Sequence, residues 1–296
     1  MAGRPEGDQR GAGVIIDGHT HIFPRQVCEN RYYYCQRDQA FHEIYGNDKA
    51  RMIGAEDLIV AMDHGGVDKA VVCGFPWSNH DLCVMGNNAI IEAVQRFPDR
   101  LIGFCCVCPD RPDTAVPEIE RCVAAGIRGV GEMGFYTRRM TEKDIAGMSP
   151  ICEAIKGCGI PLLLHVNETV GHAYPGKGDT DLQQIYRFVC AFSDMTLILA
   201  HWGGGLFFYE MMPSVARMTR HVYYDTAASP YLYDQRVYAA VIGWAPDKVL
   251  FGSDYPLVRP ARYLRALREG SLPKHELERI LHDNAAGVYI GPDRCV

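Results

Sequence analysis

Several features are scarce in this chain of 296 residues, and each absence removes a class of function. There is no surplus of basic charge. The 30 Lys and Arg residues are outnumbered by 36 Asp and Glu, for a formal net charge of −6. Without a basic stripe, nucleic acid is not an expected partner. No apolar run is long enough to span a bilayer, so no membrane association is expected. The N-terminal stretch MAGRPEGDQRGAG lacks the apolar core of a signal peptide and reads as a disordered leader over residues 1–13. No G-x-G-x-x-G follows the first strand-like run, VIIDGH, which removes the main mark of an open dinucleotide-binding sheet. Cysteine is not scarce, at 12 residues, yet the spacing of a secreted disulfide scaffold is missing. The cysteines are scattered, and Cys73, Cys105, Cys122 and Cys190 lie in apolar strand or helix patterns. They predict buried free thiols and a reducing, cytoplasmic setting. The tight run Cys105-Cys106-Val107-Cys108 could be a metal site. Its apolar neighbours and the absence of a second CxxC pair favour a core strand instead.

What the chain does have is alternation. Apolar, strand-like runs recur as VIIDGH, KAVVCGF, LIGFCCV, IRGVGEM, PLLLHV, TLILAH, VYYDTA and KVLFGSD. Between them stand amphipathic stretches of helical period at 87–96, 114–125, 150–157, 181–192, 206–220 and 234–243, with a last one at 274–289. Eight strands each followed by a helix predict an α/β fold, a closed (β/α)8 TIM barrel, formed as one catalytic domain over residues 14–296. The longest insertion, residues 23–55, follows the C-terminal end of the first strand. It is therefore expected to hang over the barrel mouth like a lid.

Barrel enzymes carry their chemistry at the C-terminal ends of the strands. The stretch IIDGHTH places His19 and His21 one residue apart, so both point to the same face. Two adjacent neutral imidazoles suit a metal ion, although a surface pair is the plain alternative. The remaining strands decide between them. The fourth run ends with Glu132, the fifth with His165, the sixth with His201, the seventh with Asp225 and the eighth with Asp254. In a closed sheet these side chains converge on one point, and four histidines with several carboxylates make a metal centre. Asp225 and Asp254 each have a structural alternative, as a neighbour-bonding carboxylate and a turn residue before Pro256.

The motifs DGHTH, LLLHVNE, LAHWGG and FGSDYP, with the closing HDNAAGVY, resemble the amidohydrolase superfamily over about residues 14 to 290. They are most similar to its amidohydrolase-related (family 2) branch of TIM-barrel hydrolases and decarboxylases. The resemblance implies that His19, His21, His165 and Asp254 bind a divalent metal, zinc or manganese. It places His201 beside the metal as a second ligand, base or orienter. Glu132 would bridge two ions, or else hold a ligand histidine in place. Asp254 would also move the proton of a bound water. Trp77, Arg138, His172, Lys177 and Arg259 are candidate substrate-binding residues, with Arg139 and Tyr174 beside them. The expected reaction is metal-dependent hydrolysis of a small carboxylated or cyclic molecule. The alternative is non-oxidative decarboxylation of an aromatic or unsaturated acid, and a non-catalytic binding barrel is a third reading. A homodimer is the default expectation for oligomeric state.

Overall fold

The computed structural model describes residues 13–290; apart from Gly13, the expected leader lies outside the described residues. Eight strands form one sheet in sequence order: β1 (Ile16–His21), β2 (Lys69–Cys73), β3 (Leu101–Cys105), β4 (Gly129–Met133), β5 (Leu162–Leu164), β6 (Leu197–Leu199), β7 (Val222–Asp225) and β8 (Val249–Leu250). Every neighbouring pair is parallel. The ring closes where Gly18 N donates to Phe251 O (2.7 Å), Asp254 N to His19 O (2.9 Å) and His21 N to Tyr255 O (2.8 Å). This is a (β/α)8 barrel. Parallel strands need a crossover between them, and an amphipathic helix supplies it while burying its apolar face on the sheet.

In the insertion after β1 stand α1 (Arg25–Glu29), α2 (Arg31–Cys35) and α3 (Gln39–Tyr45). Then follow α4 (Ala55–Gly65), α5 (His80–Arg96), α6 (Pro112–Ala124), α7 (Glu142–Gly147), α8 (Ser149–Gly157) and α9 (Leu182–Ala191). The last third holds α10 (Pro213–Met218), α11 (Ser229–Leu232), α12 (Arg236–Ile242), α13 (Pro260–Glu269), α14 (Lys274–Glu278) and α15 (Asn284–Tyr289). Side-chain caps fix several of the starts. Asn79 accepts from Leu82 N, Asp181 from Gln184 N and Asp38 from Phe41 N, satisfying amides that have no partner within the helix. No helix among the described residues is long and apolar enough to cross a membrane.

The barrel interior is filled by Ile16, Val71, Phe104, Leu163, Ile198 and Leu250, one from each of six strands, packed with Tyr289 of α15. A larger apolar layer lies between the sheet and the outer helices. Above the interior plug, the C-terminal strand ends are left to polar residues. The insertion is held by its own aromatic cluster: Phe41 packs on Trp77 (ring centroids 4.6 Å) and on Phe75 (5.2 Å). Asp38 also accepts from Ser78 N and Oγ at 2.8 and 2.7 Å, which ties the insertion to the loop after β2.

The helix expected over 206–220 forms only in part. The chain instead runs through five left-handed residues, His201 to Gly205, with φ of 54°, 61°, 60°, 60° and 98°, and regular α-helix begins only at Pro213. Gly204 is required there, because an added Cβ would stand 2.4 Å from the backbone oxygen of Asn167. Gly204→Ala should therefore cost roughly 3 kcal/mol, combining left-handed strain with the collision. Its thermal midpoint, read by calorimetry, should fall by several degrees; an unchanged midpoint would show that the turn gives way freely. The Cys105–Cys108 run belongs to the core. All its cysteines are buried, and Cys106 Sγ donates to Gly131 O at 3.2 Å.

Candidate metal centre

The strand ends bring the histidines and carboxylates together. His19 Nε2 and His21 Nε2 are 2.9 Å apart. Glu132 Oε1 lies 3.0 Å from His165 Nδ1, 3.7 Å from His201 Nε2 and 3.8 Å from His19 Nε2. Asp254 Oδ1 lies 3.4 Å from His21 Nε2 and 3.8 Å from His19 Nε2. Two ligand groups, His19–His21–Glu132 and Glu132–His165–His201, share Glu132, and the ligand atoms within each lie within 4.8 Å of one another.

Outer hydrogen bonds orient the rings. His19 Nδ1 faces Asp225 Oδ2 at 2.7 Å, His21 Nδ1 faces Gly74 O at 3.3 Å and His201 Nδ1 faces Ala227 O at 3.0 Å. Each partner is an acceptor, so each Nδ1 carries the proton and each Nε2 turns a lone pair inward. The facing lone pairs of His19 and His21 repel unless a cation or a proton lies between them. Two metal–nitrogen bonds of about 2.0–2.1 Å, meeting at roughly 90–109°, separate their nitrogens by about 2.9–3.4 Å, so the observed spacing fits a shared divalent ion. His165 differs from the other three: its Nδ1 meets Glu132, and its Nε2 meets Gly176 O at 3.1 Å.

The electrostatics point the same way. Burial alone would push the His19 pKa down, but the charges of Asp225, Glu132 and Asp254 outweigh it and raise it to about 10. His201 is likewise lowered by burial and raised overall, to about 9, by Glu132 and Asp254. Asp254 is raised by burial, yet the neighbouring His21 and the charges of His19 and His201 bring it to about 2. Glu132 is held well below the usual carboxylate range by His165 and His19 despite its burial. A pocket of anions that draws protons onto its imidazoles is one that a divalent cation can fill in their place.

Asp225 is the orienting carboxylate. Besides His19 it accepts from His201 N (2.9 Å) and Ala227 N (3.0 Å). Asp225→Asn removes the charge and permits the wrong His19 tautomer. Metal affinity should fall about 10- to 100-fold, measured by competition with a chromogenic chelator; unaltered affinity would reduce Asp225 to a packing residue.

A cavity of about 640 Å³ opens above the cluster. His21, Glu132, His165, His201 and Asp254 reach it, together with Tyr45, Arg51, Phe75, Tyr136, His172 and Tyr174. Of the five sequence-derived substrate-binding candidates, only His172 lies on this wall. Trp77 is fully buried in the aromatic cluster under the insertion, where it anchors Phe41. Arg138 is drawn aside by Asp110 (2.5 Å) and Asp144 (2.8 Å), and Arg139 pairs with Asp181. Lys177 folds back into its own loop, onto Glu168 and the carbonyls of Val170 and His172. Arg259 is exposed at the N-cap of α13 and does not line the cavity.

Sequence reasoning missed Arg51, Tyr45 and Tyr136. Tyr136 Oη donates to Glu132 Oε2 at 3.1 Å, and its ring lies 4.5 Å from that of His165. Burial and the nearby Asp254 and Glu132 push the Tyr45 phenol up. Arg51 and Tyr45 lie within the 23–55 insertion and Tyr136 lies three residues past Met133 at the end of β4, and side-chain direction in a loop is not readable from spacing.

Comparison with known proteins supplies a family and a fold. A family model described as Amidohydrolase matches residues 16–290. Among solved structures, 5-carboxyvanillate decarboxylase from Novosphingobium aromaticivorans, a variant with bound manganese and 3-methoxy-4-hydroxy-5-nitrobenzoic acid, superposes with a TM-score of 0.74 at 17% identity. The match covers 96% of this chain and 99% of that one. A dihydroxybenzoic acid decarboxylase from Polaromonas sp. JS666, with manganese and 2-nitroresorcinol, gives 0.72 at 17% identity over 94% and 97%. A probable 2-pyrone-4,6-dicarboxylic acid hydrolase from Acinetobacter baumannii, with citric acid bound, gives 0.65 at 16% over 93% and 98%.

Proposed function

For a chain that belongs to the Amidohydrolase family, matched across residues 16–290, we propose metal-dependent, non-oxidative decarboxylation of a small aromatic or unsaturated carboxylic acid. Arg51 carries this reading. It stands on the cavity wall and forms no ion pair among the described residues. Its one side-chain hydrogen bond among the described residues runs to Tyr255 Oη at 3.5 Å, and the guanidinium lies 5.6 Å from that ring's centroid. An Arg without a carboxylate partner, at the mouth of a cavity walled by Tyr45, Phe75 and Tyr136, suits the anionic end of a flat acid. Two of the structural neighbours being decarboxylases of hydroxybenzoic acids supports the same reading.

A bound divalent ion, manganese or zinc, would supply Lewis-acid charge between the His19–His21 pair, Glu132 and Asp254. The chain does the rest. Arg51 holds the acid, and the aromatic walls fix the plane of its ring and keep water out. One proton must reach the carbon that bears the carboxylate. The C–C bond electrons then stay with the ring system and carbon dioxide leaves. Asp254 lies beside His21 on the cavity wall and feels the charge of His201, so it relays to carbon a proton taken up by the His201 imidazole, whose pKa is raised to about 9.

The test is turnover with manganese or zinc on hydroxybenzoates and unsaturated dicarboxylates, beside lactones, esters and amides. Carbon dioxide release from the acids supports the proposal; hydrolysis of the neutral substrates alone overturns it. Arg51→Gln should raise KM about 10- to 100-fold, the worth of one hydrogen bond to a charged group, with a smaller change in kcat. An unmoved KM would remove Arg51 from substrate binding.

Hydrolysis is the second reading, and Glu132 favours it. The two ligand groups that share this carboxylate are what a pair of ions with an activated water would need.

A further inference from the structure

A second cavity, of about 560 Å³, lies among the outer helices, between the α11–α12 segment and α13. Its volume is that of a small-molecule site. Its walls mix Tyr233, Leu267 and Leu272 with the polar side chains of Ser229, Tyr238 and Tyr263. Three charged residues line it: Asp234, Arg236 and Arg262. Asp234 and Arg236 neutralise each other at 2.8 Å. Arg262 forms no ion pair or hydrogen bond among the described residues, so the lining carries one uncompensated positive charge.

The far wall of this cavity is the support of the metal centre. Tyr238 and Tyr263 share a hydroxyl–hydroxyl hydrogen bond, and Tyr263 Oη donates onward to Thr226 O at 2.6 Å. Ser229 Oγ accepts from the indole N–H of Trp202, the residue after His201. Thr226 in turn precedes Ala227, whose carbonyl accepts from His201 Nδ1. The same short segment thus faces the cavity with its hydroxyl partners and holds the His201 ring with its backbone.

We propose that this cavity is a binding site for a small organic acid, a carboxylate on an apolar or aromatic body, and that its occupancy tightens the turn that positions His201. The carboxylate meets Arg262, the body packs against Tyr233, Leu267 and Leu272, and the hydroxyl chain behind them transmits the ordering.

The probe is 4-fluorobenzoate, titrated onto the metal-loaded protein and followed by fluorine NMR. A bound resonance should weaken about tenfold or more in Arg262→Gln, the loss of one charged contact. It should vanish in Ala266→Phe, which fills the cavity. Arg51→Gln should leave that resonance in place and weaken only a separate one from the central cavity, so the two sites are told apart even if the decarboxylase reading fails. If Ala266→Phe does not fold, Arg262→Gln, an exposed substitution, carries the test alone. Ligand should also slow amide exchange at Thr226 and Ala227 in Arg51→Gln. No saturable resonance, or resonances indifferent to Arg262→Gln, would overturn the site; unchanged amide exchange would overturn the coupling.

Discussion

Asp254→Asn leaves the barrel folded and lowers kcat about 10³-fold, the usual worth of a positioned proton donor. The substitution isolates the proton. Asp254 sits just past β8 with φ of 59°, a left-handed conformation that Asn adopts as readily as Asp, so the backbone has no reason to move. The amide keeps the size of the carboxylate and one oxygen facing the His19–His21 pair. It cannot take up and deliver a proton. The argument holds for either chemistry, since the group gives a proton to carbon in decarboxylation and accepts one from water in hydrolysis. Circular dichroism, metal content and kcat measured on the same preparation separate the cases. Full turnover would remove Asp254 from proton transfer, and lost metal would make it chiefly a ligand.

His21→Ala abolishes both metal retention and turnover. The reason lies in the 2.9 Å between His19 Nε2 and His21 Nε2. Their other nitrogens are committed to Asp225 and to the Gly74 carbonyl, so both lone pairs are aimed at one point. Removing one halves the strand-one contribution to the site. The fold is indifferent, because His21 lies above the packed barrel interior of Ile16, Leu163 and Ile198. A ligand that binds only the folded state raises its stability. Adding manganese or zinc should therefore raise the melting temperature of the wild type and leave that of His21→Ala where it was. A metal-induced rise that survives the substitution would move the binding site away from β1.

Much of this site was legible because it depends on strand ends. Once the eight apolar runs are placed in a closed barrel, the residue that ends each run must face the mouth. His19, His21, Glu132, His165, His201, Asp225 and Asp254 are brought together in that way. Side chains in loops follow no such rule. Arg138 and Lys177 looked available, yet each is consumed by a partner, Asp144 in one case and Glu168 with two carbonyls in the other. Arg51 is on the cavity because of how the insertion packs on Trp77 and Phe75, which no periodicity reveals. The extent of regular helix after HWGGG was misjudged for a related reason. The left-handed run at His201–Gly205 is set by the close approach of Gly204 to Asn167, a tertiary constraint. The helix at Pro260–Glu269 was not among the helical stretches read from the sequence, although its leading proline and the buried Tyr263, Leu264 and Leu267 on one face mark it.

The central claim is that the cluster around Glu132 holds a divalent cation. Elemental analysis of the protein, purified without chelator and again after reconstitution with manganese or zinc, tests it most directly. The account predicts about one ion per chain, lost in His21→Ala. Two ions would place Glu132 between them and favour the hydrolytic reading. No metal in either preparation would contradict the account, leaving the facing lone pairs of His19 and His21 to be reconciled by a shared proton alone.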